Sequence, residues 1–255
     1  MSHRIEFSVG KEKLVGDLHL PEGLKPFPCV ITSHGYMSNR SSEKYFQIAH
    51  RFPLEGIAVF RFDHRGALGG ESDGKLEDTT LTRRVEDVVA AIPAVASHSE
   101  IDGGKLGLFG SSLGGMDVLL AQDERVKARV TLATPFRFPP PSDKARCSFQ
   151  EKGYCEYAGG ARIKKEFFED FGRYDLKEAV GKTTCPLLII HGTLDEQVPR
   201  HHAKVLFQAA GSESKELRML AGGDHSLTDL NLLNEALGYT LDWFQRYLKD
   251  MSLRA

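Results

Sequence analysis

The chain has 255 residues, of which 41% are hydrophobic and 27% are charged, a balance typical of a globular protein with a large core. Its 33 basic and 35 acidic side chains leave a formal net charge of −2, so charge favours neither nucleic acid nor an anionic membrane as a partner. No apolar run reaches the roughly 20 residues that a membrane span requires.

The N-terminal segment and the cysteines indicate a compartment. Charged residues interrupt the first segment every few positions, which is not typical of a signal peptide. The four cysteines are scattered without CxxC spacing: Cys29, Cys147, Cys155 and Cys185. We therefore expect a cytoplasmic protein with free thiols.

Strand-like and helix-like segments alternate along the chain. RIEFSV and KLVGDLHL alternate in polarity, which predicts two strands at an exposed antiparallel edge. PCVITSHG, GIAVFRFDHRG, KLGLFGS, ARVTLATP and PLLIIHG are short apolar runs, typical of strands buried on both faces of a parallel sheet, and ELRML is a last strand-like run. Helical patterns lie at 43–52, 80–97, 113–122, 200–210 and 229–249. The alternation predicts an α/β fold with helices on both faces of the sheet.

One segment, residues 135–180, interrupts this alternation. It begins near a cluster of prolines, is rich in aromatic residues, and has a helical pattern from about Ile163 to Val180. A connection of this length between two core strands is more often functional than a plain loop. We predict one domain, 1–255, with a cap at about 135–180. The alternative is a surface insertion that only covers the sheet.

Ser112 lies where KLGLFGS gives way to a helical pattern. In open parallel sheets, reactive groups collect at the carboxyl ends of strands. Gly110 and Gly114 flank the serine at two residues on either side, and a tight strand-to-helix turn crowds these two positions. The turn would expose the hydroxyl as a nucleophile beside a helix N-terminus. A phosphate-binding loop and simple tight packing are the alternatives.

A serine nucleophile needs an oriented base, and the chain supplies an acid and a histidine in the expected order. Asp195 follows the strand PLLIIHG, and His225 lies in a glycine-containing loop after ELRML. Asp224 and Glu196 are the rival acids. Of the other nine histidines, His34 and His191 are expected to bond the local backbone. His201 and His202 are expected to begin a helix, and the remaining five to be peripheral: His3, His19, His50, His64 and His98.

Backbone N–H groups are the candidates for stabilising an oxyanion, which needs two donors aimed at one point. Leu113 N–H directly follows the nucleophile. His34-Gly35-Tyr36 turns sharply after another strand, so Tyr36 N–H is the second candidate. The alternative for this turn is an ordinary strand-to-loop connection.

GSSLGG, SHGYMSNR, FRFDHRG, IIHGTLDEQVP and GGDHSL, in this arrangement over nearly the whole chain, resemble the motifs of serine hydrolases of the α/β-hydrolase superfamily. Within it the chain is similar to bacterial carboxylesterases of the feruloyl/cinnamoyl esterase type and to dienelactone-hydrolase-like and serine-aminopeptidase-like members. The resemblance implies a mostly parallel eight-stranded sheet with a cap after strand six. It also implies a triad of Ser112, Asp195 and His225, and an oxyanion hole from Tyr36 and Leu113.

The chain departs from this superfamily at two places. Its members often have Asp-x-Arg-Gly-x-Gly-x-Ser after the fourth strand, whereas here a longer spacer separates Asp63 and Arg65 from Ser72. We interpret these three residues as loop scaffolding. Tyr36 replaces the smaller or phenylalanine side chains common after His-Gly, and its ring is expected to shape the acyl pocket.

These observations favour a serine esterase acting on small-molecule esters with short-chain or aryl acyl groups, without a cofactor. No HxH, HExxH or Cys/His cluster has metal-ligand spacing, so a metal hydrolase is not favoured. The alternatives are a peptidase or amidase, a thioesterase, and a ligand-binding homologue that is not catalytic. A homodimer is left open, and no nucleic acid or membrane span is expected.

Overall fold

The computed structural model describes residues 2–157 and 160–249. The strands of its main sheet are β1 (Ser2–Val9), β2 (Glu12–His19), β3 (Phe27–Ser33), β4 (Ala58–Phe62), β5 (Ile101–Ser111), β6 (Val126–Leu132), β9 (Leu187–Gly192) and β10 (Lys215–Leu220), with β7 (Tyr154–Glu156) and β8 (Arg162–Lys164) forming a separate hairpin. The helices are α1 (Glu43–Arg51), α2 (Leu81–Ala96), α3 (Leu113–Leu120), α4 (Asp143–Lys152), α5 (Lys165–Phe171), α6 (Leu176–Gly181), α7 (His201–Ala209) and α8 (Leu230–Leu248).

The strand order places a crevice at the carboxyl ends of the central parallel strands. The eight strands run β1-β2-β4-β3-β5-β6-β9-β10. The pairs β1–β2 and β2–β4 are antiparallel and the others are parallel, which confirms the predicted fold class and its antiparallel edge. Because the chain reverses its direction of travel across the sheet between β3 and β5, a crevice opens at the carboxyl ends of these two strands.

Two apolar layers enclose the sheet. Every residue of β4 and of β9 is buried, as expected for strands covered on both faces. Successive residues of a strand point to opposite faces. Accordingly Phe109 of β5 packs in the same cluster as α1 and α8, whereas Leu108 packs in the cluster that holds α2 and part of α3. The crevice therefore has the α1/α8 layer on one side and the α2/α3 layer on the other.

The excursion after β6 contains α4, the β7–β8 hairpin, α5 and α6. The predicted continuous helical run from Ile163 to Val180 is wrong, because Ile163 lies in β8 and the chain breaks between Phe171 and Leu176. Asp175 starts the second helix by accepting hydrogen bonds from the backbone N–H groups of residues 177 and 178. Phe167 and Phe171 are buried beside Leu113 of α3, so α5 covers the α2/α3 side of the crevice.

Residues 1 and 250–255 of the predicted domain, and 158–159 of the predicted cap, lie outside the described residues. No helix within the described ranges is both long enough and apolar enough to cross a membrane.

Candidate active site

Ser112 occupies a strained turn between β5 and α3. Its backbone has φ 56° and ψ −121°, a conformation that residues other than glycine rarely adopt. A Cβ at Gly110 would overlap the carbonyl of Gly114, and a Cβ at Gly114 would overlap the carbonyl of Ser33. The two glycines are therefore required by the close approach of β3, the turn and α3, and the turn holds the serine at the crevice.

The structure brings together the three predicted residues Ser112, Asp195 and His225. His225 Nε2 lies 3.1 Å from Ser112 Oγ, and His225 Nδ1 lies 2.8 Å from Asp195 Oδ2. The three side chains come from the loops after β5, β9 and β10, which lie at the same edge of the sheet. The arrangement can pass a proton from the hydroxyl to the imidazole while the carboxylate orients the ring.

Asp195 is held as an ionised acceptor. Its Oδ1 accepts hydrogen bonds from the backbone N–H groups of Gln197, at 3.0 Å, and Val198, at 2.8 Å. Burial opposes ionisation, but the hydrogen bonds from His225 and Val198 outweigh it and lower the pKa of the Asp195 carboxyl. Behind it, His191 Nε2 lies 2.8 Å from the Val198 carbonyl, so the predicted backbone bond of His191 is confirmed.

The rival acids have other surroundings. Asp224 accepts hydrogen bonds from the backbone N–H of Thr228, at 2.9 Å, and from the Thr228 hydroxyl. Glu196 is exposed. Asp195 is therefore the carboxylate that bonds the ring of His225 in this structure.

The turn after β3 lies against Ser112. A Cβ placed on Gly35 would be 3.5 Å from Ser112 Cβ, so this backbone passes directly beside the serine. Among the backbone hydrogen bonds of residues 2–157 and 160–249, the N–H groups of Tyr36 and Leu113 have no acceptor. The N–H groups of Tyr36 and Leu113 are therefore without a backbone partner beside Ser112, as two donors to an oxyanion would have to be.

A buried polar network supports this turn from below. Arg84 of α2 donates to the His34 carbonyl and, through Nε at 3.0 Å, to Asp117 of α3. His64 N–H donates to His34 Nε2 at 3.1 Å, and His34 Nδ1 bonds the Gly35 carbonyl at 2.9 Å, so the predicted local bond of His34 is confirmed. These bonds fix the backbone that leads to Tyr36.

The prediction that His64 is peripheral is wrong. Its side chain is fully buried, 3.1 Å from Asp87 and 2.8 Å from the hydroxyl of Ser33. Burial lowers the pKa of His64 and raises the pKa of Asp87 to about 6. A sequence signal was available: Asp117, whose carboxylate lies 3.5 Å from His64 Nε2, is a charged residue in an otherwise apolar helix and so needs a buried polar partner.

The residues interpreted as loop scaffolding make the contacts of a scaffold. Asp63 accepts from the backbone N–H of Arg40 at 2.8 Å and of Glu71 at 2.9 Å. The Ser72 hydroxyl donates to the Asp63 carbonyl at 2.6 Å, and Arg65 Nε donates to Asp87 at 2.5 Å. The longer spacer therefore still closes the loop on itself.

The crevice above Ser112 is a cleft of about 1300 Å³, and we divide its lining into two arms according to the layer against which the side chains pack. The first, which we call the cap arm, lies over the α2/α3 layer and is mainly aromatic; it is lined by Tyr36, Phe138, Tyr157, Ile163, Phe167 and Phe168. The second, which we call the α1/α8 arm, is lined by Lys44, Ser111, Leu227, Thr228, Leu230 and Leu233. No three His, Cys, Asp or Glu side chains in the described part of the chain are grouped to hold a metal ion.

Sequence comparison gives a family and several relatives. Residues 43–251 match the prolyl oligopeptidase family. The chain is 27% identical over 230 residues to the mitochondrial palmitoyl-protein thioesterase ABHD10 of Bos taurus, covering 84% of this chain and 72% of that protein.

Structure comparison gives similar folds. The esterase domain of a Rhodothermus marinus protein has a TM-score of 0.74 at 27% identity, over 97% of this chain and 99% of that one. Est1E of Butyrivibrio proteoclasticus, solved with ferulic acid bound, has a TM-score of 0.79 at 20% identity, over 94% of this chain and 98% of that one.

Proposed function

Because the chain belongs to the prolyl oligopeptidase family and has the α/β-hydrolase fold, we propose that this hydrolase cleaves carboxylic esters with Ser112 as its nucleophile. The observation that carries the proposal is the continuous set of hydrogen bonds from Ser112 through His225 to Asp195. Its position beside two free N–H donors supports acyl transfer in particular.

The proposed mechanism follows from these contacts. Ser112 Oγ attacks the acyl carbonyl while His225 Nε2 takes the hydroxyl proton, and Asp195 stabilises the imidazolium that forms. The N–H groups of Tyr36 and Leu113 donate to the oxyanion of the tetrahedral intermediate. His225 then gives the proton to the leaving alcohol, and water hydrolyses the acyl-enzyme by the same steps.

Proton transfer decides which arm holds the leaving group of the substrate and which holds the acyl group. Leu227 and Thr228, two and three residues after His225 in the chain, line the α1/α8 arm. The leaving oxygen takes its proton from His225, so we place the leaving group in this arm and the acyl group in the cap arm. The cap arm's rings include Tyr36 and Phe167, whose centroids are 5.3 Å apart. Such a surface suits an aryl or short acyl group.

Thioester hydrolysis is the second candidate function. The palmitoyl-protein thioesterase among the relatives favours it, and the same acyl-enzyme chemistry applies to a thiol leaving group. Paired oxoesters and thioesters with the same acyl group, compared by kcat/KM, distinguish the two functions.

Replacement of the nucleophile tests the proposal. Ser112→Ala should lower kcat for p-nitrophenyl acetate by roughly 10⁴-fold or more, because it removes the covalent step. A fluorophosphonate probe should label the wild-type protein and not Ser112→Ala, with mass spectrometry identifying the labelled peptide. The exposed Ser97→Ala variant, outside the cleft, controls for the loss of a hydroxyl elsewhere. Turnover or labelling that survives in Ser112→Ala would exclude the mechanism.

The acyl preference is tested with p-nitrophenyl esters of one leaving group. We expect higher kcat/KM for acetate, butyrate and cinnamate than for palmitate, because the ring-lined cap arm suits short or planar groups. Phe168→Ala, which widens this arm, should improve palmitate relative to acetate. An unchanged ranking in a folded Phe168→Ala protein would contradict the assignment of the acyl group to the cap arm.

The compartment also remains a proposal. The cysteines Cys29, Cys147, Cys155 and Cys185 are all free in the structure, which favours a reducing compartment, and we propose the cytoplasm. Fractionation of cells that express the chain, followed by immunodetection, tests this.

A further inference from the structure

Lys44 places a cation in the α1/α8 arm of the cleft. It lies in the first turn of α1, is partly buried, and donates from Nζ to Ser111 Oγ at 2.8 Å. Ser111 directly precedes the proposed nucleophile. In the part of the chain that the structure describes, no carboxylate oxygen lies within 4 Å of this ammonium.

The carboxylates near Lys44 are engaged elsewhere. Asp195 bonds His225 and the backbone of its own loop, and Asp224 accepts from Thr228. Glu43, its neighbour on α1, accepts from Gln47 at 2.8 Å. An ammonium has three donors, and Ser111 uses one of them. Because Lys44 lines the cleft and no other acceptor among the described residues bonds its ammonium, the remaining donors are available to a ligand.

The surroundings leave the charge of Lys44 poorly compensated. Burial lowers the pKa of Lys44 to about 8, although Asp224 and Asp195 act in the opposite direction. Asp224 and Asp195 are the charged groups that act on it, and His225 lines the same cleft, while the arm's residues on α8, Leu230 and Leu233, are apolar. An anion bound beside Lys44 would supply the missing compensation.

We propose that Lys44 binds an anionic group, a carboxylate or a phosphate, carried by the leaving group of the substrate. The inference rests on the proposed function, because the leaving-group arm is defined by proton transfer from His225. It narrows the substrate class to esters of alcohols, or thioesters of thiols, that carry a carboxylate or a phosphate group.

The test uses substrates that differ only in the charge of the leaving group. The 3- and 4-acetoxybenzoates are each compared with their methyl esters, with kcat/KM divided by the rate of alkaline hydrolysis to correct for intrinsic reactivity. At pH 7 the wild-type preference for the charged member should exceed that of Lys44→Met by about tenfold or more, the range expected for a charge-assisted hydrogen bond. Lys44→Gln keeps a hydrogen-bond donor to Ser111 without the charge and should lose the preference equally.

Two controls define the site. The exposed Lys177→Met on α6, outside the cleft, should keep the wild-type ratio. A carboxylate on the acyl side, as in the p-nitrophenyl monoester of terephthalic acid against its methyl ester, should show no preference that depends on Lys44. Equal ratios in wild type and both Lys44 variants would overturn the proposal, and a Lys44-dependent preference confined to the acyl side would overturn the leaving-group assignment.

The pH profile tests the same inference in the wild-type protein alone. Lys44 is charged below its pKa of about 8, so the preference should be present at pH 7 and decline as the pH rises through 8. A preference that persists unchanged to pH 9.5 would overturn the role of Lys44. Failure of the neutral methyl esters to be hydrolysed, or hydrolysis that survives Ser112→Ala, would instead overturn the proposed function itself.

Discussion

Two carboxylates are candidates to orient the ring of His225: Asp224, its neighbour in the sequence, and Asp195, thirty residues earlier. Their hydrogen bonds distinguish them. Asp195 bonds His225 Nδ1 at 2.8 Å and takes two backbone N–H groups on its other oxygen. Asp224 turns towards Thr228, four residues later in the chain. The first contact fixes the ring's tautomer, whereas the second closes a local loop.

We therefore expect Asp195→Asn to lower kcat by roughly 10⁴-fold at neutral pH, because an amide favours the wrong tautomer of His225. Asp224→Asn should have a much smaller effect. Steady-state kinetics on both variants, with circular dichroism to confirm folding, decide between them. A mild Asp195→Asn together with a severe Asp224→Asn would mean that the acid is misassigned.

The candidate triad could be predicted from the sequence because each member follows a recognisable strand. Lys44 could not, because its importance depends on the approach of α1 to Ser111, and no local pattern encodes that distance. The burial of His64 could not be predicted for a related reason. Its neighbours in sequence belong to a loop, while its partners Ser33 and Asp87 come from distant elements.

At the level of elements, the turn between β5 and α3 depends on the room around its glycines rather than on secondary-structure propensity. Gly114→Ala should destabilise the protein and lower kcat, because the added Cβ would overlap the backbone carbonyl of Ser33. In contrast, nothing lies within 4 Å of a Cβ at Gly238 in α8. Gly238→Ala should stabilise the protein by about 0.5–1 kcal/mol, since alanine loses less entropy in a helix.

Thermal unfolding of the two variants, with p-nitrophenyl acetate turnover, provides the measurement. Opposite signs of the change in melting temperature are expected. Gly114→Ala with wild-type stability and turnover would show that β3 and α3 can separate without cost, contrary to the packing described here.

The strands were predictable for a physical reason that does not extend to the cap. Short Val- and Ile-rich runs between Gly and Pro form buried strands wherever a sheet is available. Accordingly β4 and β9 lie within the predicted segments, and β3, β5 and β6 overlap theirs but begin one to four residues earlier. In the cap, the aromatic spacing around Phe167 resembles a long helix. The chain instead forms two helices, because Asp175 caps a new helix, α6, and α6 packs against α7 and α3.

Across the whole molecule, buried histidines couple stability to pH. Burial lowers the pKa of His34 and His64 well below the ordinary value, and burial also lowers the pKa of His19 and His202 to about 4. In the unfolded chain these groups titrate near 6.5. Between pH 6.5 and 4 the unfolded chain therefore binds more protons at these histidines than the folded chain does. Their contribution to the free energy of unfolding is present above pH 6.5 and is lost as the pH falls towards 4.

Two buried carboxylates act in the opposite direction. Burial raises the pKa of Asp87 and of Asp117 to about 6, so the folded state takes up their protons first as the pH falls. Because these four histidines, together with His191, whose pKa burial also lowers, outnumber the two carboxylates, we expect the free energy of unfolding to decrease from pH 6.5 to pH 4.5. Urea denaturation at several pH values measures it, and His19→Gln should reduce the slope. A free energy that is constant or rises over this interval would contradict the prediction.

The long connection between β6 and β9 affects which insertions and deletions the chain can accept during evolution. The two strands pair from Arg129 and Leu187 to Leu132 and Ile190, although residues 133–186 lie between them. The entropy of closing such a loop grows with the logarithm of its length, about 0.6 kcal/mol for each doubling. Insertions and deletions in the cap therefore cost the sheet little, whereas the short loops that carry Ser112, Asp195 and His225 have no such tolerance. Evolution can therefore remodel the proposed acyl-binding surface while it leaves Ser112, Asp195 and His225 where they are.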